Sequence, residues 1–257
     1  MLLRSRRKSR RLAAAVLLAV LLLLALAAWP RLATIRGGES HPPERAALML
    51  FTSLPIFWAE APDLASRLRD PPPPHWARRA LEASHRLIPL DVLDEAALGP
   101  RKRLMMVQPR PLAPAENVAL DAWVRGGGRL LLFTDPALTA ASGFALGDRR
   151  RPQATALLSP LLAHWGLVLE FEPDQPPGER SVALGRARFP VNLPGRFAVS
   201  DVGGGCRLSD RALTANCTIG RGRVVAVADA ALFDQPAAAT DEQARTAALA
   251  TLVGTLG

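Results

Sequence analysis

The 257-residue chain contains no tyrosine, two cysteines and four histidines, and only Lys8 and Lys102 are lysines among its 32 basic residues. The cysteines, Cys206 and Cys217, have no histidine near them, and this gives neither the ligand number nor the spacing of a zinc site. No run of the form D-x-D-x-D, which is typical of calcium loops, is present. The sequence therefore predicts no bound metal.

Motifs for nucleotide binding and nucleophilic catalysis are also missing. The chain has no G-x-x-x-x-G-K-[ST] loop, and the triplet Gly126–Gly128 precedes an apolar run, whereas a dinucleotide fingerprint follows a strand. No G-x-S-x-G or G-x-C-x-G elbow occurs. Ser53 follows an apolar run, but Leu54-Pro55 stands where glycines would allow a tight turn. These absences predict a protein with no cofactor and no catalytic residue.

The net charge of +9 is unevenly distributed. Six positive charges and no acid lie among the first eleven residues, which leaves +3 for residues 12–257. A nucleic-acid-binding domain is typically far more basic, so the charge argues against a nucleic-acid partner. The six basic residues are Arg4, Arg6, Arg7, Lys8, Arg10 and Arg11.

Residues 12–29 form an apolar run, LAAAVLLAVLLLLALAAW, that would span about 27 Å as a helix. Basic residues before it predict a single-pass inner-membrane anchor, with a cytoplasmic amino terminus and a periplasmic domain. A signal peptide cleaved after the small-x-small sequence at 25–27 is the alternative. Both interpretations export the rest of the chain. The organisation expected is a cytoplasmic segment over 1–11, an anchor over 12–29, a tether over 30–45 and an exported domain over 46–257.

The cysteines lie in two short β-like segments that flank a polar turn at 209–211. Such a hairpin can bring Cys206 opposite Cys217, so a disulfide bond is expected in an oxidising compartment. Two small buried thiols are the alternative.

The domain itself reads as an α/β sandwich. Apolar runs on both alternating faces predict central strands of a sheet that helices cover on both sides. Helical stretches between them predict right-handed crossovers and a three-layer α/β fold with a mostly parallel sheet. Residues 166–222, with shorter runs between Pro and Gly, predict a small antiparallel β insertion or extension. The predicted strands are 46–51, 104–107, 130–133 and 224–228, and the predicted helices are 76–85, 114–125, 157–165 and 241–256.

Open α/β sheets bind ligands at the carboxyl ends of their strands, so the residues after each apolar run are the candidate ligand-binding residues. A hydrolytic trio of Ser53, His85 and Asp135 can also be drawn from the sequence. The alternative is that strand ends are polar for solubility alone. The candidates at this edge, called the rim below, are Thr52, Ser53, Gln108, Arg110, Asp135 and Asp229, with Asp234 close by.

Two segments resemble a known family. LMMVQPRPLAPAENVALDAWVRGGGRLLLFTDP (Leu104 to Pro136) and GRGRVVAVADAALFD (Gly220 to Asp234) are similar to membrane-anchored auxiliary domains of uncharacterised ABC-type transport systems, including the gliding-motility type. The shared pattern has W-V-x-x-G-G before a strand ending in D-P, and a late G-x-G-R-V strand ending in A-D. The resemblance covers roughly residues 46–136 and 220–256.

The resemblance implies a fold like that of class I glutamine amidotransferases without their nucleophile. In agreement, Gln108-Pro109-Arg110 stands where the enzymes would place a cysteine elbow. It also implies a non-enzymatic auxiliary or binding subunit whose partner is a membrane complex. The alternatives are an exported hydrolase or carbohydrate-active domain using Ser53 or the rim carboxylates, and a small-ligand sensor using the same rim.

Overall fold

The computed structural model describes residues 16–24, 45–60, 73–184, 187–200 and 205–257. Contacts divide the chain into two units, Met1–Glu44 and Arg45–Gly257. In the first unit the structure describes a helical segment over 16–24. The predicted segment over 1–11 and, apart from Arg45, the tether over 30–45 lie outside the described residues.

The prediction of a transmembrane anchor over 12–29 is wrong on the part of the chain that the structure describes. Among the described residues, no helix is both long enough and apolar enough to cross a membrane. The single-pass inner-membrane localisation and the periplasmic placement depended on that anchor and are corrected with it.

The second unit is built on a mixed sheet of seven strands in the order β2-β1-β3-β4-β11-β10-β9. The first five strands of that order are parallel, β10 is antiparallel to β11, and β9 is antiparallel to β10. The fold is therefore α/β, as predicted, and the antiparallel strands extend the sheet at one edge. The strands are β1 Ala46–Thr52, β2 His85–Pro89, β3 Arg103–Val107, β4 Arg129–Phe133, β9 Cys206–Ser209, β10 Thr214–Ile219 and β11 Gly222–Val227.

Helices connect the parallel strands. The crossover from β1 to β2 steps one way along the sheet and the crossovers to β3, β4 and β11 step the other way, so right-handed connections place their helices on opposite faces. Consistent with this, α1 packs against α5 and α2 packs against α3. These helices are α1 Trp76–Glu82, α2 Glu95–Leu98, α3 Pro114–Arg125, α4 Ser159–His164 and α5 Ala239–Val253.

Helix α3 illustrates why the local sequence forms its element. Pro114 occupies the first turn, where its missing N–H costs nothing, and the Glu116 carboxylate accepts a hydrogen bond of 2.9 Å from the Ala113 amide. The helix ends before Gly127, whose φ of 104° few other residues adopt. The predicted helix over 114–125 has these bounds.

The remaining strands form two small antiparallel sheets between β4 and β9. One pairs β5 Leu167–Glu170 with β8 Arg196–Val199, and the other pairs β6 Arg180–Leu184 with β7 Ala187–Val191. The hydrophobic core lies on both faces of the main sheet, where the central residues of β1, β3, β4 and β11 are almost fully buried.

Cys206 and Cys217 face each other across the β9–β10 pair and form a disulfide bond with a Cα–Cα distance of 4.0 Å. Both strands belong to the edge extension, and Cys217 is buried. The bond therefore joins the edge strand β9 covalently to the rest of the sheet.

Candidate functional site

Gln108 directly follows β3 at the rim and is completely buried. Its φ of 41° lies in the left-handed region, where residues other than glycine are uncommon. Its Nε2 donates to the carbonyl oxygens of Asp135 (3.0 Å) and Gln153 (2.8 Å), and its Oε1 accepts from the Asp135 amide (2.8 Å). The side-chain amide thus ties the end of β3 to the end of β4 and to the 153 loop, with both ends of the amide group used.

Ser53 belongs to the same network. Its Oγ donates to the Gln108 carbonyl at 2.5 Å and accepts from the Gln153 amide at 3.0 Å. Next to it, the Thr52 hydroxyl accepts a hydrogen bond of 2.9 Å from the Leu54 amide. The proton that a nucleophilic serine would give to a base is here donated to a main-chain oxygen.

His85 cannot act on Ser53. It begins β2 in register with Ala46, the first residue of β1, whereas Ser53 follows the end of β1. Seven residues of strand separate the two positions, a distance of about 23 Å. The drawn trio of Ser53, His85 and Asp135 is therefore not assembled.

Arg110 is engaged in an ion pair. Its two terminal nitrogens each lie 2.8 Å from a carboxylate oxygen of Glu116, and one also donates to the Asp91 carbonyl at 2.6 Å. The guanidinium lies 5.0 Å above the Phe51 ring. The Arg110 side-chain hydrogen bonds keep the pKa of Glu116 at about 2, even though burial acts in the other direction. This two-pronged pair is a bracing contact between loops.

The two rim aspartates that follow β4 and β11 are fully buried and bonded to main-chain amides. Asp135 accepts from Ala137 (2.8 Å) and from Ala230 (3.1 Å). Asp229 accepts from Ala231 (2.6 Å) and from Asn192 (3.0 Å). Each carboxylate oxygen therefore has a backbone N–H partner.

Burial nevertheless raises the pKa of both carboxyls. Desolvation raises the pKa of Asp135 to about 6. Desolvation also raises the pKa of Asp229 well above its ordinary value, and the negative charge of Asp135 adds to the effect. Asp234 behaves similarly, because burial raises its pKa to about 6 while the Arg245 charge opposes the rise. Burial thus raises the pKa of all three of these acids above its ordinary value.

Arg245 on α5 is the buried cation of this region. It donates to the carbonyls of Ala231 (2.6 Å) and Leu232 (3.2 Å) and pairs with Asp241 and Glu179. These contacts hold the turn that follows Asp229 against α5. The role of Arg245 is therefore structural.

The loop after β7 covers part of the rim. The Asn192 amide donates to Asp229, and the Gly195 amide donates to the Ala228 carbonyl at 2.8 Å. A Cβ at Gly195 would lie 2.9 Å from the side chains of Leu169 and Pro136, so the loop approaches the sheet closely there. No rim residue lines the cavity of about 300 Å³ or the cavity of about 600 Å³ that lie elsewhere in this unit.

The structure therefore brings Ser53, Gln108 and Asp135 into one hydrogen-bonded network and places Asp229 beside it through Ala230. It bonds Thr52 locally and Arg110 to Glu116. Among the described residues, no group of three His, Cys, Asp or Glu side chains is arranged to hold a metal ion. What the arrangement does chemically is to fasten neighbouring strand ends to each other.

The sequence analysis did not identify the hydrogen-bond and ion-pair partners of the rim side chains. Gln153 and Asn192 take part through their main chains and carry no side-chain signal for these contacts. Glu116 does carry a signal in the sequence, because an acid six positions after Arg110 is a candidate ion-pair partner. Arg245 lies on an apolar face of α5, and this position indicates that it has partners, because a buried cation needs carboxylate or carbonyl groups around it.

No protein-family model matches the chain. No curated protein matches it either. Several solved structures do. A protein described as ThuA-like from Bacteroides uniformis is 12% identical, with a TM-score of 0.45 over 85% of this chain and 94% of that one. A cytoplasmic protein from Salmonella typhimurium is 10% identical, with a TM-score of 0.44 over 81% of this chain and 99% of that one.

An exo-β-1,4-mannosidase from an Opitutaceae bacterium is 13% identical, with a TM-score of 0.44 over 82% of this chain and 35% of that one. The chain thus spans about a third of the length of this glycosidase. All of these TM-scores are below 0.5, so the likenesses carry no argument about fold or activity.

Proposed function

We propose that the Arg45–Gly257 unit is a non-enzymatic binding domain that serves as an auxiliary subunit of an ABC-type transport or envelope complex. The observation that carries the proposal is the state of the rim. At the position where an amidotransferase-like enzyme would place its nucleophile, this chain has Gln108, a buried amide whose side-chain hydrogen bonds are all made to the neighbouring strand end and loop.

The other polar groups at the rim support the same proposal. The Ser53 hydroxyl is occupied by two main-chain partners, and both oxygens of Asp135 accept backbone amides. A general acid or base must be within hydrogen-bond reach of the proton that it transfers. The hydrogen bonds of these groups are instead made to main-chain atoms of the protein itself. The ABC-type partner rests on the resemblance of residues 104–136 and 220–234 to that family.

An activity screen tests the non-enzymatic part. The full chain is incubated with ester, amide, glycoside and glutamine substrates beside the Ser53→Ala and Asp135→Asn variants. No turnover above the background of the variants is expected. Turnover by the wild-type chain that is abolished in either variant would overturn the proposal.

Co-purification tests the partner. The tagged full chain is cross-linked in its native host, the membranes are extracted with detergent, and the captured proteins are identified by mass spectrometry against an untagged control. An ABC permease or ATPase is expected at stoichiometric yield. If no component of an ABC system is enriched over the control, the auxiliary-subunit proposal is wrong.

A further inference from the structure

The larger of the two cavities is a basic cleft at the amino-terminal edge of the sheet, opposite the rim. It has a volume of about 600 Å³, and none of its lining side chains is acidic. It lies where β4 and β11 begin and where β10 and β9 extend the sheet. Its polar side chains come from Arg129, Arg207, Arg221, Arg223, Asn216 and Thr218.

Strand register explains why these side chains share one face. Arg223 on β11 stands opposite Thr218 on β10 and next to Arg129 on β4. Two residues before Thr218, Asn216 stands opposite Arg207 on β9. Side chains of residues two apart on a strand, and of directly paired residues, lie on the same face of a sheet. The basic groups therefore form a row on one face of the sheet. Arg129 and Arg223 lie on adjacent strands about 5 Å apart, and Arg207 lies two strands beyond Arg223 and two residues along the strand.

None of the four guanidinium groups has a side-chain carboxylate partner among the described residues. Arg129 donates to the main-chain oxygens of Leu256 and Gly257. Arg221 makes a single contact, of 3.4 Å, with the Gly126 carbonyl. For Arg207 and Arg223 the described part of the chain provides no ion pair. Elsewhere in the domain, arginines such as Arg110 and Arg245 are paired with acids.

Protection of a sheet edge does not account for this row. A charged residue on an edge strand prevents pairing with another molecule, and Arg207 on β9 can have that role. Arg223, however, lies on β11, which is paired on both sides, and Arg221 lies in the turn before it. A row of like charges costs free energy through mutual repulsion, which an anion in the cleft would relieve.

We infer that this cleft binds a small ligand carrying two or more phosphate groups, either free or as the headgroup of a lipid. The planar guanidinium fork matches phosphate oxygens in pairs, and the Asn216 amide and Thr218 hydroxyl supply further donors. Two guanidinium groups on adjacent strands, with a third two strands away, fit a ligand with more than one phosphate. The volume is within the range of small-molecule sites.

Calorimetric titration of the full chain with tripolyphosphate tests the inference. Arg207→Gln and Arg223→Gln are each expected to weaken binding by about tenfold, because each removes a charge-assisted contact to phosphate. Arg149→Gln is the matched control, since it removes the same charge from an exposed position away from the cleft. Arg6→Gln measures any contribution from the basic residues at the amino terminus. Thermal unfolding of each variant verifies that it is folded.

A second arm distinguishes the two sources of phosphate. Phosphatidylcholine vesicles with and without phosphatidylinositol bisphosphate are sedimented with the wild-type chain and with each variant. If the wild-type chain binds the bisphosphate vesicles, and both Arg207→Gln and Arg223→Gln weaken that binding, the ligand is a lipid headgroup. Binding of tripolyphosphate alone, with the same losses, identifies a free ligand. The inference fails if neither probe binds, if Arg149→Gln or Arg6→Gln weakens binding as much as the cleft variants, or if citrate binds as tightly as tripolyphosphate.

Discussion

Asp135, just after β4, accepts a hydrogen bond of 3.1 Å from the backbone amide of Ala230, just after β11. The two strands are parallel neighbours, so this hydrogen bond joins their carboxyl ends at the rim. The carboxyl is fully buried, and the contact therefore comes with a desolvation cost.

The first prediction concerns the pH dependence that Asp135 gives to stability. Its pKa is about 6 in the folded protein and about 4 in the unfolded chain. The fold therefore favours the protonated form, and the associated stability is complete below pH 4 and is lost as the pH rises through 6. Asp135→Asn removes this loss. The free energy of unfolding of the variant, relative to wild type, is expected to rise by about 3 kcal/mol between pH 4 and 7, as measured by urea denaturation.

His75 provides the control, because its pKa is lowered whereas that of Asp135 is raised, and its effect on stability therefore changes with pH in the opposite direction. Burial lowers the pKa of His75 to about 4, so its contribution is lost as the pH falls from 6.5 through 4. His75→Asn keeps a side-chain acceptor at the start of α1, where the His75 ring accepts from the Ala77 amide. This variant is expected to lose stability more steeply than wild type as the pH rises. Parallel pH curves for wild type and Asp135→Asn would contradict the first prediction.

The second prediction concerns the ion pair between Arg110 and Glu116. Glu116→Gln is expected to lower the free energy of unfolding by about 1 to 3 kcal/mol, because a buried carboxylate that also accepts from the Leu93 and Ala113 amides is replaced by a neutral group. The matched control is Glu82→Gln, whose exposed pair with Arg78 is worth at most about 0.5 kcal/mol.

Glu116 also predicts an acid limb of the stability curve. Its pKa of about 2 is depressed, so its contribution is present above pH 4.5 and is lost as the pH falls through 2. The difference between wild type and Glu116→Gln should therefore shrink towards pH 2. A difference that stayed constant with pH, or losses of equal size in Glu116→Gln and Glu82→Gln, would show that the charge of Glu116 has no special role.

The central fold was predictable because its strands are covered on both faces. The runs at 46–51, 104–107, 130–133 and 224–228 are apolar at every position, a pattern that a half-exposed strand cannot show. Strand β2, His85–Pro89, was missed for the converse reason. It lies at the edge of the sheet, where none of its residues is fully buried, and its sequence HRLIP reads as the end of the preceding helix.

The sequence predicted where the rim residues lie, but it did not predict that their side chains are bonded within the protein. Each candidate lies at or after a strand end, as the apolar runs indicate, because carboxyl ends of parallel strands meet at one edge. Whether such a group is free or bonded depends on distant main-chain atoms, such as the Asn192 and Gln153 amides, and no local pattern encodes them. The transmembrane prediction rested on apolar composition alone, and among the described residues no helix is long and apolar enough to cross a membrane.

The third prediction concerns the disulfide between Cys206 and Cys217. The bond closes a loop with a sequence separation of 11, and by lowering the entropy of the unfolded chain it stabilises the fold by about 3 kcal/mol. The double variant Cys206→Ala, Cys217→Ala is expected to lose about that much stability. Non-reduced, denatured wild-type protein should show no reactive thiol. Two thiols per chain, together with unchanged stability on reduction, would mean that the cysteines are unpaired.

The fourth prediction concerns close backbone packing behind the amino-terminal edge of the sheet. A Cβ on Gly222 would lie 2.0 Å from the Val124 carbonyl oxygen and 2.4 Å from that of Gly128, and main-chain atoms cannot move aside as a flexible side chain can. Gly222→Ala should therefore separate β11 from the end of α3 and lower stability by more than about 3 kcal/mol.

Gly254 is the matched control for this substitution, since a Cβ there would meet nothing within 4 Å and its φ is −55°. Gly254→Ala should change the free energy of unfolding by less than about 1 kcal/mol. Gly222 also lines the basic cleft. Tripolyphosphate binding should therefore fall in Gly222→Ala, measured at a temperature where this variant is still folded. It should remain unchanged in Gly254→Ala. Equal stability of the two variants would mean that α3 and β11 are not packed as closely as these distances require.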